Sequence, residues 1–236
     1  MRSKFPSPPP EPTADSLAEL AKAALRYVKS GQTIGLGSGR AAHAFIRAVA
    51  EAGLDIRGVP TSSASADLAR SLHIELVTLD AAGRLDEDFD GADEVDPHLN
   101  MIKGHGGALL REKVVAVASR RRIFLVGDEK LVKRLGQHGN LPVEVVPFAA
   151  PIALRAIAKL GLKPAVRLDE QGRQFVSDNG NLLFDCRVSS LKSPARLEHN
   201  LRAVPGVVGT GLFLGIADIV LVISATGQIT TLRRAR

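Results

Sequence analysis

The chain has one cysteine, no tryptophan and an aromatic content of only 4%. A lone thiol, Cys186, closes no internal disulfide and excludes a cysteine-rich metal site. A reducing compartment fits. Scarce aromatics leave few platforms on which bases could stack. No apolar run approaches the ~20 residues of a membrane-spanning helix; Ile219–Ile223 is far shorter. The N-terminus also lacks the apolar core of a signal peptide. The expectation is a cytoplasmic protein with no membrane partner.

What is present is an ordinary globular composition. The 236 residues are 45% hydrophobic and 24% charged, enough for one large domain or a domain with a smaller companion. The formal net charge is +6 and the pI is near 9.8. A basic balance can accompany nucleic-acid binding. Here the basic clusters are short, Arg120–Arg122 and Arg233, Arg234 and Arg236. That distribution suits small anions better than a polyanion, so no nucleic-acid partner is expected.

Five prolines fall within residues 1–12, which reads as a disordered tail. Beyond it, Leu17, Leu20, Ala21, Ala24, Leu25 and Val28 recur at helical spacing up to Gly31. Strand-like and helical stretches then alternate: Thr33–Leu36, Ala41–Ala52, Asp55–Val59, Ala64–Leu72, Glu75–Leu79, Ala108–Ser119 and Arg122–Val126. Such alternation predicts a parallel sheet with helices on both faces. After about Gln137 the texture becomes α+β. Val143–Val146 reads as a strand and Pro151–Leu160 as a helix. Three short strands follow, the last two joined at Asp178-Asn179-Gly180-Asn181, where Asn-Gly signals a hairpin. Ser193-Pro194 opens another helix. Val207–Leu214 and Asp218–Ile223 are apolar again and read as a return to the main sheet.

Three stretches carry chemistry. In Gly35-Leu36-Gly37-Ser38-Gly39-Arg40 a strand runs into a helix through glycines. The backbone can approach an anion there, and the helix N-terminus offers free amides. Ser38 adds a hydroxyl and Arg40 a bidentate donor. Thr61, Ser62 and Ser63 form a second hydroxyl-rich turn after a strand, on the rim where such folds bind ligands. The alternatives are a plain strand-to-helix turn and a plain helix cap. The second stretch, Asp90-Gly91-Ala92-Asp93-Glu94, follows Asp86, Glu87 and Asp88 and reads as a tight acidic turn. Crowded carboxylates raise one another's pKa, so that one can stay protonated; a solvated acidic loop is the alternative. The third runs from Lys103 through Gly104, His105, Gly106 and Gly107 into a helix holding Glu112. An ammonium and backbone amides gathered this way can stabilise an oxyanion. On spacing alone Glu112, between Arg111 and Lys113, reads as an exposed helix residue. A carboxylate projecting toward the loop is the other reading.

Together the three suit an aldose–ketose interconversion through an enediol: a base, oxyanion donors, an acid–base group for the sugar oxygens, and a phosphate anchor. Neither a metal nor a redox cofactor is expected.

These stretches resemble the type A ribose-5-phosphate isomerases. The likeness lies in Asp90-Gly91-Ala92-Asp93-Glu94, Ile102-Lys103-Gly104 and Arg111-Glu112-Lys113. Asp128-Glu129-Lys130-Leu131-Val132, Leu141-Pro142-Val143-Glu144-Val145, Asp178-Asn179-Gly180-Asn181 and Pro205-Gly206-Val207-Val208 extend it, and it runs from about Leu17 to near Leu232. The resemblance implies an α/β fold: a Rossmann-like parallel-sheet domain, 13–137 plus 207–236, with an inserted α+β (ferredoxin-like) lid or oligomerisation domain at 138–206. It implies Glu112 as the base between C1 and C2 and Asp90 as the group assisting at the sugar oxygens. Lys103 with nearby amides would stabilise the enediolate, Asp93 would hold hydroxyls, and Lys130 would reach the substrate from the edge. It further implies a pentose phosphate substrate, a place in the non-oxidative pentose phosphate pathway and a homodimer or homotetramer. The chain departs from the family pattern at Arg40-Ala41, where Ser-Thr is usual, at Ala18, where some members carry a lysine, and at His105, where glycine is usual. Arg40 is expected to replace the lost phosphate contacts. A sugar-phosphate sensor without turnover and a dinucleotide-dependent oxidoreductase using the Gly37 loop are the alternatives.

Overall fold

The computed structural model describes residues 10–234. Most of the expected disordered tail therefore lies outside the described residues, and Pro10–Pro12 carry no regular secondary structure. Helix α1 (Ala14–Ala24) begins where the Thr13 hydroxyl accepts the Ser16 amide, and it buries Leu17, Leu20, Ala21 and Ala24. The chain continues through β1 (Thr33–Leu36), α2 (Arg40–Glu51), β2 (Arg57–Pro60), α3 (Ser63–Ser71), β3 (Glu75–Leu76), the short α4 (Leu79–Ala82) and β4 (Leu85–Asp90). Two-residue strands β5 (Glu94–Val95) and β6 (Met101–Ile102) lead to α5 (Leu109–Ala118) and β7 (Ser119–Gly127). Next come β8 (Asn140–Val145), α6 (Ala150–Lys159), β9 (Lys163–Val166), β10 (Leu182–Arg187), α7 (Pro194–Arg202) and β11 (Val207–Thr210). The chain ends with β12 (Leu212–Phe213), β13 (Ile219–Ile223) and β14 (Ile229–Arg233).

The larger sheet has seven strands in the order β14-β13-β7-β4-β1-β2-β3. All its pairings are parallel except β13 with β14. The order runs outward in opposite directions from the β1–β4 boundary. At such a switch point the loops leaving two neighbouring strands diverge to opposite faces and leave a crevice at the strands' carboxyl ends. Helices α1 and α2 cover one face, with Phe45 of α2 stacked on Phe89 of β4 at 4.1 Å between ring centres.

Strand β4 was legible only as acidic sequence. Leu85-Asp86-Glu87-Asp88-Phe89-Asp90 has the polar texture of a loop, yet it lies in mid-sheet between β1 and β7. Partners on flanking strands make this possible. The Asp86 carboxylate accepts the Thr33 amide at 3.0 Å, and Glu87 pairs with Arg121 of β7. Residues 86–88, which the sequence showed only as acidic residues before the expected turn, are strand, and Asp88 is fully buried; the turn itself lies between Asp90 and Glu94, joining β4 to β5. Expected strand 75–79 pairs only at Glu75–Leu76, and Leu79 opens a helical turn instead. Around 174–177 the ladder reduces to single bridges, Leu168 with Gln174 and Val176 with Leu182.

The smaller sheet, β11-β8-β10-β9, is antiparallel throughout. With α6 and α7 it forms a β-α-β-β-α-β unit, the ferredoxin-like arrangement. Its last strand is β11, which pairs with β8, so the chain re-enters the large sheet at β13 rather than at Val207. Inside this unit Glu144 of β8 is buried. It accepts hydrogen bonds from Ser177 Oγ (2.8 Å), Asn179 Nδ2 (3.1 Å) and Asn181 Nδ2 (2.9 Å), fixing the turn at Asp178–Asn181. Gly180 takes φ +77° there, as an Asn-Gly turn requires. A buried donor left without its acceptor costs about 1–3 kcal/mol, so Glu144→Leu is expected to lower the unfolding free energy by about 2 kcal/mol in urea denaturation. An unchanged midpoint would show that this network does not hold the turn.

Candidate active site

Four loops meet at the carboxyl end of the large sheet: the one after β1, the end of β4, the β6–α5 loop and the end of β7. They enclose a cavity of about 200 Å³. Lys103, which is 2% exposed, lines it. Lys103 Nζ donates to the Gly91 carbonyl at 2.5 Å, and lies 3.1 Å from Asp90 Oδ2 and 3.4 Å from Glu112 Oε1. Asp90 ends β4, and its other oxygen accepts the amides of Ser38 (3.0 Å) and Gly91 (2.7 Å). Glu112 stands in the first turn of α5 and is 5% exposed. Its Oε2 and Asp90 Oδ2 have no hydrogen-bond partner among the described residues. The reading of Glu112 from spacing alone as an exposed helix residue is therefore overturned, and the alternative, a carboxylate projecting toward the loop, is what is found. Its neighbours Arg111 and Lys113 are drawn away, to Asp178–Asn179 and to Glu198 with the Thr210 and Leu212 carbonyls.

The electrostatics follow from one ammonium among several buried carboxyls. Burial, reinforced by Asp90 and opposed by Lys103, raises Glu112 to about 8. Burial also raises Asp90, against the pull of Lys103 and the Ser38 and Gly91 amides. Asp88, two residues earlier on the same strand, is raised well above the usual carboxylate range by burial and by Asp90. For Lys103 burial acts downward, but Asp90, Glu112 and Asp93 outweigh it and the ammonium is held protonated. One cation cannot balance three buried anions, so the cluster retains protons at neutral pH.

Around this centre the sequence-predicted residues divide. Ser38, Gly39, Arg40, Asp93, Gly104, Gly106 and Lys130 line the cavity. Asp93 Oδ2 accepts the His105 amide at 3.0 Å, and the His105 ring lies 3.6 Å from Asp93 Oδ1. Arg40 reaches the cavity but is engaged by the N-terminal segment, to Glu11 Oε2 and to the Pro12 carbonyl, both at 2.7 Å. Gly37, Thr61, Ser62, Ser63 and Gly107 stand behind the wall. A Cβ on Gly37 would fall on Asp90, so glycine is what lets β1 and the Asp90 carboxylate close up. Thr61 and Ser62 brace Ser38, their hydroxyls 2.7 and 2.8 Å from its Oγ. The Ser63 amide goes to Asp178 at 2.7 Å, and Gly107 (φ +90°) abuts Phe175. Two cavity carboxylates escaped sequence reasoning. Glu11 sits in the proline-rich stretch, and Glu129 follows β7, 3.8 Å from Lys130. The position of Glu129 just past a parallel strand was the available signal. Among the described residues no group of three or more His, Cys, Asp or Glu side chains is disposed to hold a metal ion.

A family model described as ribose 5-phosphate isomerase A (phosphoriboisomerase A) matches residues 57–227. The ribose-5-phosphate isomerase A of Roseiflexus castenholzii is 47% identical over 214 residues, covering 89% of this chain and 92% of the relative. That of Rhodopseudomonas palustris is 45% identical over 230 residues, covering 94% and 98%. The solved ribose 5-phosphate isomerase A of Methanocaldococcus jannaschii matches with a TM-score of 0.86 and 39% identity over 93% of this chain and 98% of its own. A D-ribose-5-phosphate isomerase in complex with phospho-erythronic acid matches with a TM-score of 0.90 and 35% identity, covering 94% of this chain and 100% of that one.

Because the Lys103 ammonium holds Glu112 down, Lys103→Met is expected to move the Glu112 carboxyl above about 8. The protonated carboxyl band in pH-difference infrared spectra, assigned with Glu112→Gln, checks this. A downward move would contradict the assigned coupling.

Proposed function

The chain belongs to the ribose 5-phosphate isomerase A family and is an isomerase, and from that premise we propose how its residues interconvert ribose 5-phosphate and ribulose 5-phosphate. The observation that carries the reading is the shared contact of Asp90 and Glu112 with one buried ammonium, Lys103 and Glu112 lining the cavity and Asp90 standing just behind them. In the open-chain aldose the carbon-bound proton at C2 is acidic because the adjacent carbonyl accepts the electron pair. Glu112, as carboxylate, removes it. The negative charge moves to O1 and is met by Lys103 Nζ and the Gly106 amide, which strengthens the acidity of C2. Glu112, now protonated, returns the proton to C1, while a second proton passes from O2 to O1 through Asp90. Asp90, whose carboxyl burial raises above its ordinary value against the pull of Lys103, also serves ring opening. Atoms and electrons balance within the substrate, so the reaction needs no external reductant.

Asp93, which lines the cavity, holds a substrate hydroxyl. The phosphate seat is the start of α2 with Ser38 and Gly39, joined by Arg40 and by Lys130 from the far rim. Glu11 holds Arg40 at 2.7 Å and Glu129 lies 3.8 Å from Lys130, so an entering phosphate exchanges with a carboxylate at each. The relative bound to phospho-erythronic acid supports this reading. That ligand carries a phosphate at one end and a planar carboxylate at the other, the charge pattern of an enediolate. The same reading places the enzyme in the non-oxidative pentose phosphate pathway of the cytoplasm, working as a homodimer or homotetramer.

Glu112→Gln is expected to fold and to lose about 10²–10⁴-fold in kcat, read by ketose formation from ribose 5-phosphate; turnover near wild type would remove Glu112 from the base role. Since catalysis uses the Glu112 carboxylate, kcat/KM should rise with pH and level off above about 8; a profile falling over that range would contradict the assignment. Arg40→Ala should raise KM with kcat little changed, and Glu11→Gln should lower KM by freeing Arg40. A kcat loss at constant KM in Arg40→Ala would remove the arginine from the phosphate seat.

A further inference from the structure

Outside the cavity, the loop that carries Lys103 is gripped from behind by the smaller sheet. Arg167, just past β9, is only 12% exposed in its side chain. Its guanidinium makes a two-point contact with Asp185 of β10, Nε to Oδ2 at 2.9 Å and Nη2 to Oδ1 at 2.5 Å. Asp185 is in turn fixed by Asn140 Nδ2 at 2.8 Å. That leaves Nη1, whose two hydrogens go to two successive carbonyls of the loop, Gly104 at 3.0 Å and His105 at 2.9 Å. The Phe175 ring lies alongside the guanidinium.

Those carbonyls belong to the peptide units that carry the His105 and Gly106 amides. A trans peptide is planar, with C=O and N–H pointing in opposite directions. Pinning the two oxygens on the Arg167 side therefore turns the two N–H groups the other way. The consequence is visible for His105, whose amide donates to Asp93 at 3.0 Å. Gly106 lines the cavity, and its amide has no protein partner among the described residues. Without the anchor the loop could rotate these planes easily, since Gly104 and Gly107 both sit at positive φ, +105° and +90°. The guanidinium also polarises both peptide units, making their N–H groups better donors.

We propose that Arg167, held by Asp185, is a positioning residue that aims the Gly106 amide at the developing oxyanion and the His105 amide at Asp93. The inferred role rests on the reading of the 103–107 loop as the oxyanion site. It makes the inserted ferredoxin-like unit a working part of catalysis, because the strut that sets the donor geometry is rooted in β9 and β10.

The test compares two inhibitors of ribose 5-phosphate turnover. Phospho-erythronic acid presents a planar anion to the loop, whereas inorganic phosphate probes the phosphate seat alone. In Arg167→Met, kcat should fall about 10–100-fold, the loss of one aimed donor being about 10²–10³-fold when complete, with KM within about 3-fold. Phospho-erythronic acid should bind at least about 10-fold more weakly while inhibition by phosphate stays within about 2-fold. Arg167→Lys, which keeps charge but not the fork, should fall between, and Asp185→Asn should repeat the pattern more weakly if Arg167→Met proves unstable. Equal weakening of both inhibitors, or an unchanged kcat, overturns the positioning role. Lys103→Met separates the two levels. If it too leaves phospho-erythronic acid binding intact, the oxyanion reading itself fails and takes the strut with it. If Lys103→Met weakens binding and Arg167→Met does not, only the strut is lost.

Discussion

A single buried ammonium organises this site. Lys103 is buried among Asp88, Asp90 and Glu112, and each carboxyl's protonation depends on it. Removing a charge from water costs several kcal/mol unless it is paired and hydrogen bonded. Lys103 meets that condition through Asp90, Glu112 and the Gly91 carbonyl. The carboxyls are less well matched: among the described residues Asp90 Oδ2 meets only the Lys103 ammonium, and Glu112 Oε2 has no hydrogen-bond partner. Those free lone pairs, stored at the end of a strand and in the first turn of a helix, are what a substrate's hydroxyls and carbon-bound protons can meet.

The rest of the fold serves that placement. A parallel sheet whose order reverses between β1 and β4 brings the Gly37 loop and Asp90 side by side. Glycine at 37 allows the approach, and the hydroxyls of Thr61 and Ser62 brace Ser38 so that its amide stays on Asp90. On the other side the ferredoxin-like unit reaches back twice. Its 178–181 turn takes Arg111 and the start of α3, and Arg167 takes the carbonyls behind Lys103. The helix carrying Glu112 and the loop carrying Lys103 are thus each tied to the inserted unit.

Much of this was legible in the amino-acid order. Thr33–Leu36, the helix after Gly39 and the Asn-Gly turn were readable because their signals are local: a short apolar run, a glycine beside a helical period, a left-handed turn residue. What escaped depended on distant partners. Strand β4 gave no strand signal because the contacts that accommodate its carboxylates, from Thr33 and Arg121, come from other strands. Glu112 looked exposed because Arg111 and Lys113 flank it, and nothing local shows that both reach across to the smaller unit. The end of the inserted unit was misplaced at Val207 because an apolar edge strand reads alike in either sheet. Motif resemblance supplied the active-site set where periodicity could not.

The central claim is spatial: one pentose skeleton lies with its reacting carbons between Glu112 and Lys103 and its phosphate at the start of α2. A crystal structure of the chain with phospho-erythronic acid measures this directly. The account predicts the ligand's carboxylate within hydrogen-bond distance of Lys103 Nζ and the Gly106 amide, Glu112 about 3–3.5 Å from the ligand carbon at that end, and the phosphate on Ser38, Gly39 and Arg40 with Glu11 displaced. A ligand bound with its phosphate at Lys103, or with Glu112 turned away from its carbon chain, would contradict it.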